Sequence, residues 1–437
     1  MAIQTEVGER TIRKLTTRLI PFLFVLYVVA FLDRVNLGYA ALTMNKTLHL
    51  SSTVFGLISG IFFLGYFIFE IPSNIIMHKI GARVWIARIL ISWGIVVMIT
   101  AWAANATHLY ILRFLLGVAE AGFFPGIILY ITLWFPAKQQ ARAVALFMTA
   151  LAGSSIIGAP ISTWILGFNH LGWDGWRWLF IWEGAPAVIL GFVTLFILPD
   201  RPEQAKWLSR EEKNWLITKL KEEHEAKITK KQLSTKEVMS NGRIWHLSFI
   251  YLFQVIGLYG IGFWMPTIIK GFSKVITNQQ VGFITMIPYI VGGIAMVVVA
   301  RHSDRTGERR FHTAIPSLIG AIGLLGSGLA TNPYLQIIML TIATAGIYSF
   351  FGSFWSLPSF FLTEASAAVG IAVINSFGNL GGFVGSYAVG ALKDATGSVS
   401  VGLYFLATSL LLAAILVFAV RKEHATSVFA KSGKQSA

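Results

Sequence analysis

Two carboxylates and two guanidiniums stand in stretches otherwise suited to hydrocarbon. Asp33 and Arg34 are adjacent in YVVAFLDRVNLGYAAL (residues 27–42), and Arg113 and Glu120 lie seven residues apart in LRFLLGVAEAGFFPG (residues 112–126). Seven residues is two helical turns, so Arg113 and Glu120 share a helix face. A charge near mid-bilayer costs at least ~2.5 kcal/mol even on the mildest scale, so such groups face a bundle interior or a wet cavity and have a use there. A guanidinium stays protonated and grips a carboxylate through two parallel hydrogen bonds. That makes Arg34 the candidate for holding an anion, and Arg113 a second anchor or the holder of Glu120. Asp33 and Glu120 are candidate proton sites, because poor solvation favours a neutral carboxyl while a neighbouring Arg favours the charged one. An anion that draws the Arg away would let the carboxyl take a proton, and either carboxyl could be the one that titrates. The plainer alternative, four groups that merely neutralise one another, is a weak stabiliser compared with apolar packing.

The elements that must position these groups follow from composition. The chain has 437 residues, 55% hydrophobic and 13% charged, with mean hydropathy +0.68, which implies a membrane protein. It has 33 Phe, 14 Trp and 12 Tyr, residues that fill helix interfaces and ring membrane surfaces. No cysteine is present, which excludes disulfides, thiol catalysis and cysteine metal sites. The histidines form no metal-ligand spacing with carboxylates, and no nucleophile motif appears. Apolar runs long enough to cross ~30 Å of hydrocarbon predict twelve helical spans near 19–41, 53–77, 82–104, 109–134, 140–166, 177–198, 244–270, 279–299, 312–330, 334–362, 367–391 and 400–420. RTIRKLTTR ahead of the first span looks like a signal-peptide start, but the run is too long and lacks a small-residue cleavage site.

With the N-terminus cytoplasmic, 28 of the 35 Lys and Arg residues fall in cytoplasmic segments and 5 outside, leaving only Arg34 and Arg113 within spans. The positive-inside rule therefore accounts for the formal charge of +15 with no nucleic-acid partner. The expected organisation is all-α: a six-helix bundle at 1–199, a solvated helical connector at 200–243, and a second six-helix bundle with a cytoplasmic tail at 244–437. The loop HKIGAR, with His78 and Arg83, is echoed in the second half by SDRTGERR, with Asp304 and Arg305. Parallel repetition of this kind is a transporter signature, with substrate held between the halves. GNLGGFVG (378–385) has no preceding strand and no following Lys-Ser/Thr, so it is read as close helix packing, like Gly56/Gly60 and Gly122/Gly126. Glu70 and Glu183 are expected near helix ends, solvated at the interface.

The chain resembles the major facilitator superfamily, and more narrowly its anion:cation symporter family. The resemblance is carried by FLDRVNLGYA, GYFIFEIPSNIIMHKIGARVWIARI, LRFLLGVAEAGFFPG and GWRWLFIWEGAPAV in the first half, and by YGIGFWMPTIIK, SFWSLPSFFLT and GIAVINSFGNLGGFVG in the second. It implies a twelve-helix carrier in a bacterial cytoplasmic membrane, both termini cytoplasmic, importing a small carboxylate with protons by alternating access. It needs no cofactor and no metal beyond the proton as coupling ion, and a monomer is expected. The positions matching Asp33 and Glu120 are implicated in proton coupling and that matching Arg34 in anion binding. Tyr66, Tyr259, Phe263, Trp264, Asn375 and Asn379 complete the implied substrate site. His78, Arg83, Asp304 and Arg305 match the gating loops, although the superfamily usually has Asp where His78 stands. Close relatives commonly have Pro where Ser386 stands and a small residue where Glu364 stands. Ala152 replaces a Gln of sugar-acid carriers, which tilts the expected substrate towards less hydroxylated or aromatic acids. An organic-anion exchanger or exporter is the main alternative; a non-transporting sensor of similar fold, argued against by the lack of an added soluble output domain, and a channel rank lower.

Overall fold

Polar side chains one residue ahead of a helix set where several crossings begin. Ser51, Asn105 and Thr277 accept hydrogen bonds from the backbone amides of Val54, His108 and Gln280, and Asn332 and Ser398 accept from those of Tyr334 and Ser400. Each supplies a partner that the first turn of a helix lacks. The structure is a computed structural model, and it describes residues 2–228, 240–273, 275–358 and 364–420. Part of the expected connector, Lys274 and the C-terminal tail lie outside the described residues.

In chain order the helices are α1 (Ala2–Thr47), α2 (Ser52–Ile80), α3 (Ala82–Ile99), α4 (Ala106–Glu120), α5 (Phe123–Trp134), α6 (Ala137–Met148), α7 (Ala150–Ile165) and α8 (Gly175–Ile197). They continue as α9 (Arg210–Ile228), α10 (Gly242–Gly271), α11 (Asn278–Thr306), α12 (Phe311–Leu329), α13 (Pro333–Phe354), α14 (Glu364–Thr396) and α15 (Val399–Phe418). α4 with α5, and α6 with α7, each make one crossing. Among the described residues, eleven segments are long and apolar enough to span a bilayer, and the 33-residue α14 supplies the twelfth crossing. The fold is thus the expected all-α, twelve-span arrangement, six crossings on either side of α9.

Two elements depart from the sequence expectation. The fourth span was expected unbroken over 109–134, but α4 stops at Glu120 and α5 restarts at Phe123. Gly122 sits there at φ +85°, where a side chain is disfavoured, and a Cβ on it would lie 2.4 Å from Ser73 Oγ. Ser73 Oγ donates to the freed carbonyl of Ala121 at 2.6 Å and accepts from the Trp85 indole at 2.9 Å, so the break leaves no orphaned carbonyl there. The second departure is the connector, which is docked on the first bundle. Glu212 of α9 accepts from Arg10 at 3.0 Å and pairs with Lys14 at 2.8 Å, both near the start of α1. Glu223 accepts from the amide of Ala137 at 2.8 Å, at the first turn of α6. Gly8 is what lets Trp215 approach; a Cβ there would sit 2.6 Å from the indole.

The halves close against each other at the face opposite the N-terminus. Gly56 and Gly60 of α2 lie so close to α14 that a Cβ on either would meet Ser386 O at 2.6 Å or the Phe383 ring at 2.8 Å, an approach only small residues permit. Asp394, near the end of α14, accepts from the amides of Ser52 and Thr53 at 3.1 and 2.7 Å. A carboxylate of one half thus caps the first turn of α2 in the other.

Candidate functional site

α1 aims its adjacent charges in different directions, because consecutive helical residues do not share a face. Asp33 turns into the first bundle, where its Oδ2 accepts from the Trp93 indole at 2.8 Å. Arg34 turns towards the second half and is only 7% exposed. Its Nη2 makes an ion pair with Glu120, and its Nη1 donates to the Tyr259 hydroxyl at 2.7 Å. The guanidinium carbon lies 5.2 Å from the Phe62 ring centre and 5.4 Å from that of Tyr66, within cation–π range. Arg113 Nη2 donates to the backbone carbonyl of Arg34 at 3.2 Å, so it braces α1 at the point where Arg34 leaves it. The two arginines and Glu120 are therefore together, while Asp33 is directed elsewhere.

Arg34 also forms part of the wall of a cavity that holds about 460 Å³ of space between atoms, its openings included. Tyr66, Tyr259, Asn375 and Asn379 line it as well, all four of them residues singled out in the sequence. Arg113, Phe263 and Trp264 are not among its lining residues. Trp264 instead donates to Ser386 O at 3.0 Å and meets Phe55 edge-on at 5.1 Å between ring centres, which joins α10, α14 and α2. Ala152 lies beside the wall residue Leu151 and packs towards Gly293 of α11. The cavity spreads towards the face that carries the N-terminus, since Tyr27 and Tyr251 precede Arg34 and Tyr259 on α1 and α10, which both run from that face, and Trp355 follows the end of α13 on that side.

Sequence reasoning missed Tyr27, Tyr251 and Trp355 in this wall. Tyr27 stands two turns before Arg34, so helical spacing from that candidate is the signal that could have found it; Tyr251 stands two turns before Leu258, which the sequence did not single out. The expectation for Glu70 and Glu183 is corrected: neither is solvated at an interface, at 2% and 4% exposed. Glu70 accepts from Asn375 Nδ2 at 3.0 Å and from the Ser376 hydroxyl, which ties α2 to α14 beside the cavity. Glu183 accepts from Ser162 Oγ at 2.6 Å. Buried carboxylates need such donors, because apolar surroundings supply none.

The loop residues divide differently from the motif. Arg83 pairs with Asp200 at 3.3 Å, and its backbone amide also donates to that carboxylate at 2.9 Å. Asp200, after α8, thus supplies the acid that His78 does not; the side chains of His78 and Glu364 lie outside the described residues. Asp304 pairs with Arg309 at 2.5 Å within its own loop, while Arg305 is exposed.

Three comparisons bear on this geometry. A sequence model described as Major Facilitator Superfamily matches residues 23–386. A protein of Agrobacterium vitis named "Putative tartrate transporter" is 49% identical over 434 residues, 99% of this chain and 96% of the relative. An Acinetobacter baumannii protein named "Quinolone resistance transporter" is 40% identical over 410 residues, 94% of this chain and 94% of the relative. The crystal structure of a D-xylose-proton symporter matches with a TM-score of 0.75 over 93% of this chain and 98% of its own, at 16% identity, a likeness of fold alone.

Proposed function

The chain belongs to the major facilitator superfamily, in its anion:cation symporter type, and on that footing we propose that this multi-pass membrane transporter imports a small organic acid anion together with protons. The observation that carries the reading is Arg34, a buried guanidinium in a cavity wall, shared between Glu120 and a neutral hydroxyl of the other half. A substrate carboxylate entering the cavity competes with Glu120 for the guanidinium, since both offer the same planar pair of oxygens. Glu120, left buried without its cation, takes a proton; when the substrate leaves, the proton leaves and the ion pair reforms. Tyr259 and Tyr66 orient the anion, and Asn375 and Asn379 read its polar substituents. Alternating access then consists of parting the seam at Gly56, Gly60 and Asp394 while the opposite side closes.

The relative named as a tartrate transporter supports a small carboxylate as substrate, and the excess of Lys and Arg on the N-terminal side supports a cytoplasmic N-terminus in a bacterial inner membrane. We expect a monomer working without cofactor or metal. Uptake of labelled tartrate, phthalate, nicotinate, hydroxyphenylacetate and galactonate into proteoliposomes, with and without an inward proton gradient, tests the reading. Accumulation of one acid above equilibrium only with the gradient is the expected result; binding without gradient-driven uptake would overturn it. A second reading, export, is favoured by the relative named for quinolone resistance. It predicts that an outward-directed load, rather than an inward proton gradient, drives net movement.

A further inference from the structure

A second polar cluster lies inside the first bundle, away from the cavity wall. Asp33 and Asn36 stand three residues apart on one face of α1, facing Trp93 of α3, Ser162 of α7 and Glu183 of α8. Two donors of the cluster are already committed: the Trp93 indole to Asp33 Oδ2 at 2.8 Å and the Ser162 hydroxyl to Glu183 Oε1 at 2.6 Å. Asp33 Oδ1, Glu183 Oε2 and both amide atoms of Asn36 are buried without a hydrogen-bond partner. Asn36 is 1% exposed and lies beside the Glu183 carboxyl, short of hydrogen-bond geometry. Asp33 and Glu183 are within electrostatic reach of each other. Among the described residues neither forms an ion pair, since Arg34 is held by Glu120 and Arg113 by the Arg34 carbonyl.

We propose that Asp33 and Glu183 hold one proton between them, with Asn36 as the bridging amide, forming a proton site separate from the Arg34–Glu120 pair. Two bare carboxylates cannot share a dry site, because each lacks a cation and repels the other. One proton removes a negative charge and also turns an acceptor into the missing donor, which leaves Asn36 able to accept at Oδ1 and donate from Nδ2. The charged groups around the pair are Glu120 and Arg113, both within reach of Asp33; the groups facing Glu183, which are Ser162, Asn36 and the Tyr39 phenol, are neutral. Asp33 is next to Arg34 in the chain, so a turn of α1 that moves the guanidinium also moves this carboxyl relative to Glu183. The site thereby gives the carrier room for a second proton, as co-transport of a dianion without net charge requires.

This deepens the proton-coupled reading and rests on it, so the test reads protonation without transport. Infrared titration of the purified full-length protein in nanodiscs, without substrate, follows the carbonyl stretch of protonated carboxyls. A component is expected that Glu120→Gln leaves in place and whose titration midpoint moves by one pH unit or more, a tenfold change in proton concentration, in Glu183→Gln and in Asp33→Asn. Ser162→Ala, which keeps both carboxyls, covers the case in which those two fail to fold, and should move the same component. A midpoint unchanged in these variants would overturn the proposal. So would a component suppressed by sodium chloride in the parent protein but not in Glu183→Gln, which would make the cluster a sodium site. Neither failure touches the role of Arg34, which the uptake panel decides.

Discussion

At the scale of single residues, the site depends on the planarity of one cation. Arg34→Lys preserves charge but replaces the two in-plane nitrogens that face Glu120 and Tyr259 with a single ammonium of different reach, which cannot grip a carboxylate with two parallel bonds, so uptake should fall to background. The expected loss is roughly 100-fold, on the order of the 1.5–3 kcal/mol carried by a hydrogen bond to a charged group; near-normal uptake would remove Arg34 from the site. Tyr259→Phe deletes only the hydroxyl and should weaken apparent affinity about fivefold, from a net hydrogen bond of about 1 kcal/mol, leaving gradient dependence intact. Glu120→Gln should abolish accumulation while counterflow exchange persists, and an unchanged dependence on external pH would contradict that. Arg34, Arg113 and Glu120 were legible in the sequence because charges in hydrocarbon are few and costly. Tyr251 and Trp355 were not, because in a chain with 33 Phe and 12 Tyr an aromatic residue carries no such signal. Glu70 was misread since distance from a helix end says nothing about a neighbour on another helix, and its partner Asn375 is 305 positions away.

At the scale of elements, the break after Glu120 and the docking of α9 are the features on which stability can be tested. Gly122→Ala places a Cβ in the left-handed region and against Ser73. It should cost on the order of 1–3 kcal/mol, seen as a lower thermal midpoint of the purified protein. The span as a whole was legible from its apolar length, but its break was not, because the residue that satisfies the freed carbonyl, Ser73, belongs to another helix. Burial pushes the Glu212 carboxyl up, but hydrogen bonds from Lys14, the Ser209 amide and Arg10 outweigh it and hold the pKa below its ordinary 4.5. A lowered pKa means that the docking energy is present above pH 4.5 and is lost as pH falls through the lowered value. Hydrogen exchange of α9, taken relative to the rate of an unfolded chain at the same pH, should therefore be slow at neutral pH and quicken in acid. Glu212→Gln should quicken it at neutral pH by the modest amount that half-exposed ion pairs supply, roughly 1 kcal/mol or less each.

At the scale of the whole molecule, the halves are joined on one side and enclose a cavity that spreads towards the other. Asp394→Asn removes the charge at the first turn of α2 and should loosen that seam by about 1 kcal/mol. Distances between labels on the two halves at that face should lengthen or broaden, and an unchanged distribution would show that the glycine contacts alone hold it. Among the described residues, the charged groups of the cavity and its surroundings, Arg34, Arg113, Glu120 and Glu70, all lie in the first half. The second half brings Tyr251, Tyr259, Asn375 and Asn379, which carry no charge at neutral pH. On the proposed reading, energy conversion belongs to the first half, and the second adds neutral groups that choose among acids. A hybrid that keeps the first bundle and borrows the second from a relative should change its diet without changing its fuel.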